Sequence, residues 1–260
     1  MEINGLENEK LFWQEEFRVR SYEINSRAVA TMETMAKYIQ EVASNHARAM
    51  KLDVTHLSES RLTWVLSRIH IKMNHYPKWQ QKVVVETWPA EKDKYFAIRD
   101  YRILDEKNNE LGLATSSWML INLDTRRPAE LPAFMEGTEN KKRGRALKDS
   151  FDKLPLLDGT VDYEKEFNVR LSDLDVNQHV NFINYIVWGL ETVPRDIWEN
   201  YVLKDLQIGF RAESVYGDRV LAGSKQEKTK NESIFIHRLE NKGSSKELTR
   251  LLSQWEKPQK

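Results

Sequence analysis

The chain repeats itself. FRVRSYEINSRAVATMETM, beginning at Phe17, aligns without a gap on FNVRLSDLDVNQHVNFINY, beginning at Phe167 and so 150 positions later. Phe17/Phe167, Val19/Val169, Arg20/Arg170, Glu23/Asp173, Ile24/Leu174 and Met35/Tyr185 agree in identity or character. A second block, RIHIKMNHYPKWQQKVVV against DLQIGFRAESVYGDRVLA, sets Ile71 against Ile208, Met73 against Phe210 and Lys82 against Arg219, an offset of 137 that Trp118 and Trp255 share. The fall in offset gives the second copy a shorter middle loop. Two copies of one unit are the economical explanation, and they restrict the chain to folds that build one supersecondary arrangement twice.

Each copy reads as a short extended segment, one helix and then several strands. Met32, Met35, Ala36, Ile39, Val42 and Ala43 recur at helical spacing and predict a helix over 31–50. Its counterpart is predicted over 181–192, stopped by Pro194. WVLSRIHIKM, KVVVETWP and YFAIRDYRIL follow the first helix, and LKDLQIGF, DRVLAGS and SIFIHRL the second; all are alternating or rich in strand formers. EKNNELG and ENKGSS supply hairpin turns. One helix and a meander of strands, twice over, is an α+β chain with antiparallel sheet. Between the copies, proline and mixed charge mark a linker. The expected division is 1–135, a linker over 136–160, and 161–260.

Composition excludes several functions. Forty Lys+Arg balance forty Asp+Glu, so no global field draws the chain to nucleic acid or an anionic membrane, and an anionic partner must be met by a local patch. The absence of cysteine removes disulfides, thiolate metal sites and a thiol nucleophile, and fits a reducing cytoplasm. MEINGLENEKLFW lacks the basic flank and apolar run of a leader peptide. No stretch approaches the roughly 20 apolar residues that span a bilayer. Six histidines occur without HExxH or another recurring ligand spacing, and GxGxxG, P-loop and GxSxG motifs are absent. The expectation is a cytoplasmic globular protein with no metal, no cofactor, no nucleic-acid partner and no membrane span. Whether two chains associate as a homodimer stays open.

Chemistry concentrates in LSDLDVNQHVNFINYIVWGLETVP, residues 171–194. In an extended segment Asp175, Asn177 and His179 would face one space while Val176 and Val180 face the other. Asn181 suits a helix N-cap, and backbone donors at Val180 and Asn181 would suit an oxyanion. Asp and Asn are also ordinary turn and capping residues. The repeat bears on that alternative: the first copy has Asn25, Arg27 and Val29 at the matching places, so the framework recurs and the Asn/His pair does not.

The same run resembles the signature of the acyl-acyl carrier protein thioesterases, a Ser-Asp-Leu-Asp, Asn-Gln-His-Val-Asn-Asn run ending in Tyr, Trp and Glu, and is identified with the bacterial type that has no transit peptide. FRAES, 210–214, is similar to the family's aromatic-Arg-Arg-Glu-Cys segment. The resemblance runs from Phe17 to about Trp255. It implies two tandem hot-dog domains, each a curved antiparallel sheet around a central helix, the second carrying the catalytic residues. It also implies hydrolysis of a fatty acyl thioester on the phosphopantetheine arm of acyl carrier protein in fatty acid biosynthesis. The alternatives are an acyl-CoA thioesterase of the same fold and a non-catalytic acyl-binding protein. The implied catalytic set is Asp175, Asn177, His179 and Glu213, with Glu213 as general base or as nucleophile. Two departures stand out: Ser214 replaces the family's Cys, and Phe182 its second Asn. Met32, Met35, Trp64 and Tyr76 are candidates for the acyl pocket. Because the carrier is acidic as a class, KKRGR, 141–145, is a candidate docking patch.

Overall fold

The computed structural model describes residues 11–228 and 232–258; residues 1–10, on which most of the leader-peptide reading fell, lie outside them. The chain divides into two compact units, Met1–Phe151 and Asp152–Lys260. The first contains β1 (Trp13–Arg18), α1 (Met32–Ala49), α2 (Val54–Ser58), β2 (Leu62–Met73), β3 (Lys82–Lys92), β4 (Phe96–Asp105), β5 (Glu110–Asn122) and β6 (Pro128–Ala129). Antiparallel pairing orders the long strands β1-β3-β4-β5-β2, with β6 added to β5. β3 shows why: Val83, Val85 and Thr87 are buried while Lys82, Val84 and Glu86 are half-exposed, the period of a one-sided strand. α1 starts where the Thr31 hydroxyl accepts the Thr34 N–H at 3.1 Å, and it buries Met32, Met35, Ala36, Ile39, Val42 and Ala43 on one stripe. Each fully buried side chain on that stripe, such as Met35 or Ile39, contributes about 1.5–3 kcal/mol.

The second unit repeats this plan with β7 (Tyr163–Asn168), α3 (Phe182–Leu190), α4 (Arg195–Asn200), β8 (Val202–Phe210), β9 (Arg219–Lys228), β10 (Glu232–Asn241) and β11 (Lys246–Glu256). Its order is β7-β9-β10-β11-β8, all antiparallel. Side chains repeat as well. Phe17 stacks on Tyr38 at 4.2 Å between ring centres, and Phe167 on Trp188 at 5.6 Å. The indole N–H of Trp118 donates to Ser116 Oγ, and that of Trp255 to Ser253 Oγ. Strands β5 and β11, implied only as the far arms of hairpins, and the short helices α2 and α4 complete the units.

Residues 136–151 are strapped to the first unit. Asn140 N–H donates to the Pro89 carbonyl at 2.8 Å and the Trp88 indole to the Gly144 carbonyl at 2.9 Å. Arg145 Nε donates to Asp100 Oδ2 at 3.0 Å. Asp100 is fully buried, and burial pushes its carboxyl above the ordinary range against the opposing pull of Thr115, Arg145 and the Ala146 N–H. A buried carboxylate needs such partners, which fixes the chain here. Two of the four cations of KKRGR are thus engaged, Arg145 with Asp100 and Arg143 with its guanidinium 3.7 Å from the centre of the Phe12 ring, while Lys141 and Lys142 are exposed.

Candidate active site

The segment expected to be extended is a tight loop. A 3-10 turn, Leu171–Asp173, leads to a bridge between Leu174 and Val180, and Gln178 sits at φ 63°. Asp175 organises the enclosed residues: its Oδ1 accepts the N–H of Asn177 at 2.8 Å and of His179 at 3.3 Å, while its own N–H donates to the His179 carbonyl at 2.8 Å. The trio thus shares a turn rather than a strand face. Val176, expected to share a face with Val180, lies at the tip in solvent while Val180 is buried, because a carboxylate that collects following N–H groups curls the backbone. Asn177 is exposed, and His179 half-buried.

Glu213 arrives from the segment after β8. Its Oε2 lies 2.6 Å from His179 Nε2, with the two side chains 46% and 27% exposed. This brings together residues 34 positions apart in the chain. The Val180 N–H donates to the Ser214 carbonyl at 2.9 Å, tying the two loops beside the pair. Tyr185, buried on α3, accepts the Ser214 N–H at 3.1 Å, and burial raises its phenol well above the ordinary range. Ser214 Oγ donates to Asp218 Oδ2 at 2.8 Å. Burial works against the charge of Asp218, but the Val215 N–H, the Ser214 hydroxyl and Asn241 outweigh it and hold the carboxyl below its usual value. Tyr185 and Asp218 were not singled out from sequence. The clue was present for Tyr185, a buried-type aromatic with one polar tip in an otherwise apolar helix.

One expectation needs correction. The N–H groups of Val180 and Asn181 do not point into free space: they donate to the carbonyls of Ser214 and Asp173 at 2.9 and 2.8 Å. The Asn181 side chain caps the helix by accepting the Ile183 N–H at 3.0 Å, which leaves the Phe182 N–H as the first-turn donor outside these bonds. The acyl-pocket candidates also separate. The Tyr76 hydroxyl meets Met32 Sδ at 3.9 Å, and Met35 is buried on the same helix. Trp64 instead donates its indole N–H to the Leu52 carbonyl, just past the other end of α1, about 27 Å away along an 18-residue helix.

The first unit contains the same frame. Asn25 Oδ1 accepts the Arg27 and Val29 N–H groups, Ala28 takes φ 57°, Ile24 bridges Ala30, and the Ala30 N–H donates to the Pro77 carbonyl. These bonds place Val29 and Tyr76 where the second unit has His179 and Glu213. Only the second copy carries a base and a carboxylate. Residues 10–135 match the acyl-ACP thioesterase N-terminal domain and residues 158–257 the C-terminal domain. The chain belongs to the acyl-ACP thioesterase family. It is 31% identical to oleoyl-acyl carrier protein thioesterase 1, chloroplastic, of Arabidopsis thaliana, over 99% of this chain and 79% of that one. It is 33% identical to the palmitoyl-acyl carrier protein thioesterase, chloroplastic, of the same plant, over 81% of this chain but 54% of the relative. The 12:0-ACP thioesterase from Umbellularia californica has a similar structure, with TM-score 0.88, 27% identity and 95% of each chain covered. An acyl-ACP thioesterase structure from Bacteroides thetaiotaomicron, 24% identical over 96% of this chain and 100% of that one, shares the fold at TM-score 0.85. The two units are the tandem hot-dog domains of this family. Among the described residues no helix is long and apolar enough to cross a membrane.

Proposed function

We propose that the His179–Glu213 pair is the catalytic centre with which this acyl-ACP thioesterase hydrolyses the thioester of fatty acyl-acyl carrier protein, releasing the free fatty acid. The 2.6 Å contact carries the reading, because it holds a carboxylate and an imidazole together at an accessible place. Glu213 takes a proton from water as the oxygen attacks the thioester carbon. The carbonyl oxygen gains charge, and the exposed amide of Asn177 and the Phe182 N–H at the helix start are the donors assigned to it. Collapse breaks the carbon–sulfur bond; the thiolate leaves and receives a proton through His179. Asp175 acts as a positioning residue, since its carboxylate is engaged with the backbone of the loop that presents His179.

Turnover of one acyl chain on acyl carrier protein and on coenzyme A tests the substrate and the residues together. The expected result is a higher kcat/KM with the carrier protein and a loss of about 10²–10⁴-fold in Glu213→Ala and His179→Ala. Near wild-type rates in either variant would sink the assignment, and preference for coenzyme A would move the chain to the other carrier.

A further inference from the structure

Four exposed residues on the loops around His179 and Glu213 are large and apolar. Leu171, Val176, Val215 and Tyr216 are exposed large hydrophobic residues of the second unit, Val176 at 85% and Tyr216 at 60%. They flank the reactive pair on three short stretches stitched together by backbone bonds: Leu174 N–H to the Leu171 carbonyl, Val169 N–H to that of Asp218, and Val180 N–H to that of Ser214. The frame itself does not demand them. Its copy in the first unit makes the equivalent bonds, Val19 N–H to the Gln81 carbonyl and Ala30 N–H to that of Pro77. At the positions of Leu171, Val176 and Val215 that copy has Ser21, Ser26 and Lys78, all exposed. The exposed aromatics of that copy of the frame are Trp79, against Tyr216, and Tyr22, which stands where the second unit has Ser172. Exposed aliphatic side chains gathered around a reactive pair, on a frame that folds with serine and lysine there, are the mark of a surface that another body covers.

We infer that the rim formed by Leu171, Val176, Val215 and Tyr216 is the docking surface for the body of the acyl carrier protein. The inference rests on the reading that the pair cleaves carrier-bound thioesters. The thioester sits at the end of an arm, so the protein that bears the arm must come to rest against the loops surrounding the pair. Two cations flank the rim and suit an acidic partner: Arg170 beside Leu171, and Arg211 two residues before Glu213, both exposed. Arg170 engages Asp173 through Nε and Nη2, and Arg211 Nε lies 2.8 Å from Glu247 Oε2, so each guanidinium has N–H groups beyond its own ion pair.

The test replaces Leu171, Val176 and Val215 together by serine (Leu171→Ser/Val176→Ser/Val215→Ser), with Leu156→Ser, an exposed apolar residue on another part of the unit, as the matched control. Kinetics are measured with one acyl chain carried by acyl carrier protein and by N-acetylcysteamine, which has the thioester without a protein body. The expected result is a KM for the carrier substrate raised about tenfold in the triple variant with kcat within about twofold, and unchanged kcat/KM for the small thioester. Equal losses on both substrates would show that the rim shapes the acyl site instead, and no loss on either would also overturn the proposal. So would an equal effect of the control, or self-association of the wild type abolished in the triple variant with carrier kinetics intact, which would assign the rim to a second copy of the chain. A wild type that cleaves the small thioester but not the carrier substrate would refute the underlying reading of the site.

Discussion

Asparagine and alanine at position 175 separate two roles for the Asp175 carboxylate. In the structure Oδ1 accepts two backbone N–H groups, at 2.8 and 3.3 Å, and thereby shapes the turn that presents His179. In the first unit Asn25 does the same with a neutral amide oxygen, at 2.9 and 3.5 Å, and the turn closes alike. Asp175→Asn should therefore keep the turn, lose only the charge, and hold kcat within about fivefold, under 1 kcal/mol. Asp175→Ala removes the acceptor and with it both bonds. At about 1 to 1.5 kcal/mol for each bond, the presenting loop loses about 2–3 kcal/mol, which lowers kcat by roughly 30- to 150-fold if the reactive geometry requires that loop. The assay is steady-state kcat on an acyl-carrier substrate with its pH profile, which should be superimposable for wild type and Asp175→Asn. If asparagine is as damaging as alanine, or shifts the profile, the negative charge acts in the chemistry and the positioning role is refuted.

Three further outcomes follow from buried groups. Arg145→Met leaves the fully buried Asp100 without its cation and should cost about 3–5 kcal/mol in denaturant unfolding, with KM for the carrier substrate unchanged where the variant is folded; a raised KM with unaltered stability would support KKRGR as a docking patch. Burial depresses the His237 imidazole to about 3, against the opposing pull of the Gly189 carbonyl, so the folded chain refuses a proton that the unfolded chain accepts below about 6.5. Stability should thus be complete above that pH and fall by about 1.4 kcal/mol per unit as pH drops from about 6.5 toward 3, a slope that His237→Gln should remove in urea titrations. Tyr185→Phe takes from the buried Ser214 N–H its acceptor; a loss of about 1–3 kcal/mol in thermal unfolding and a lower kcat are expected, and full retention of both would show that the hydroxyl does not hold the Glu213 segment.

The fold was legible because the repeat and the period of the apolar residues speak about burial, and burial decides secondary structure in both units. The α1 stripe from Met32 to Ala43 and the two matched offsets needed no coordinates. The loop around Asp175 was misread because period-two spacing is shared by a strand and by an Asx-closed turn, and only the hydrogen bonds of Asp175 distinguish them. The oxyanion donors were misassigned for a related reason: sequence shows where a helix starts, whereas which N–H groups are already engaged depends on Ser214, which lies 34 positions after Val180. Likewise, KKRGR reads as solvated charge until Asp100 is found buried opposite Arg145. The place of Tyr76 opposite Glu213 was in principle available, since both lie at the 137-residue offset that aligns the strands after the helix.

The two copies close their loops differently, and this predicts how the catalytic variants should behave as proteins. In the first unit Val29 bridges Lys78, and the Trp79 N–H donates to the Ala28 carbonyl at 3.0 Å, so backbone bonds sew the turn shut over Tyr76. Among the described residues the second unit has no counterpart of either bond at His179–Val215 or Gln178–Tyr216. There the same two loops keep the Val180 N–H to Ser214 carbonyl bond and otherwise meet through the side chains of His179 and Glu213. A half-exposed pair of this kind is worth only about 0.2–1 kcal/mol after solvent screening, far less than a cavity or a stranded buried charge costs. Glu213→Ala and His179→Ala should therefore unfold within about 1 kcal/mol of wild type while losing activity. The second unit has exchanged part of this closure for access: the two further backbone bonds of the first unit would shield the pair from water and thioester alike, whereas their absence leaves His179 and Glu213 where a substrate can reach both. A loss of several kcal/mol in either variant would show that the pair is a structural clasp, and the chemistry would have to be sought elsewhere in the frame.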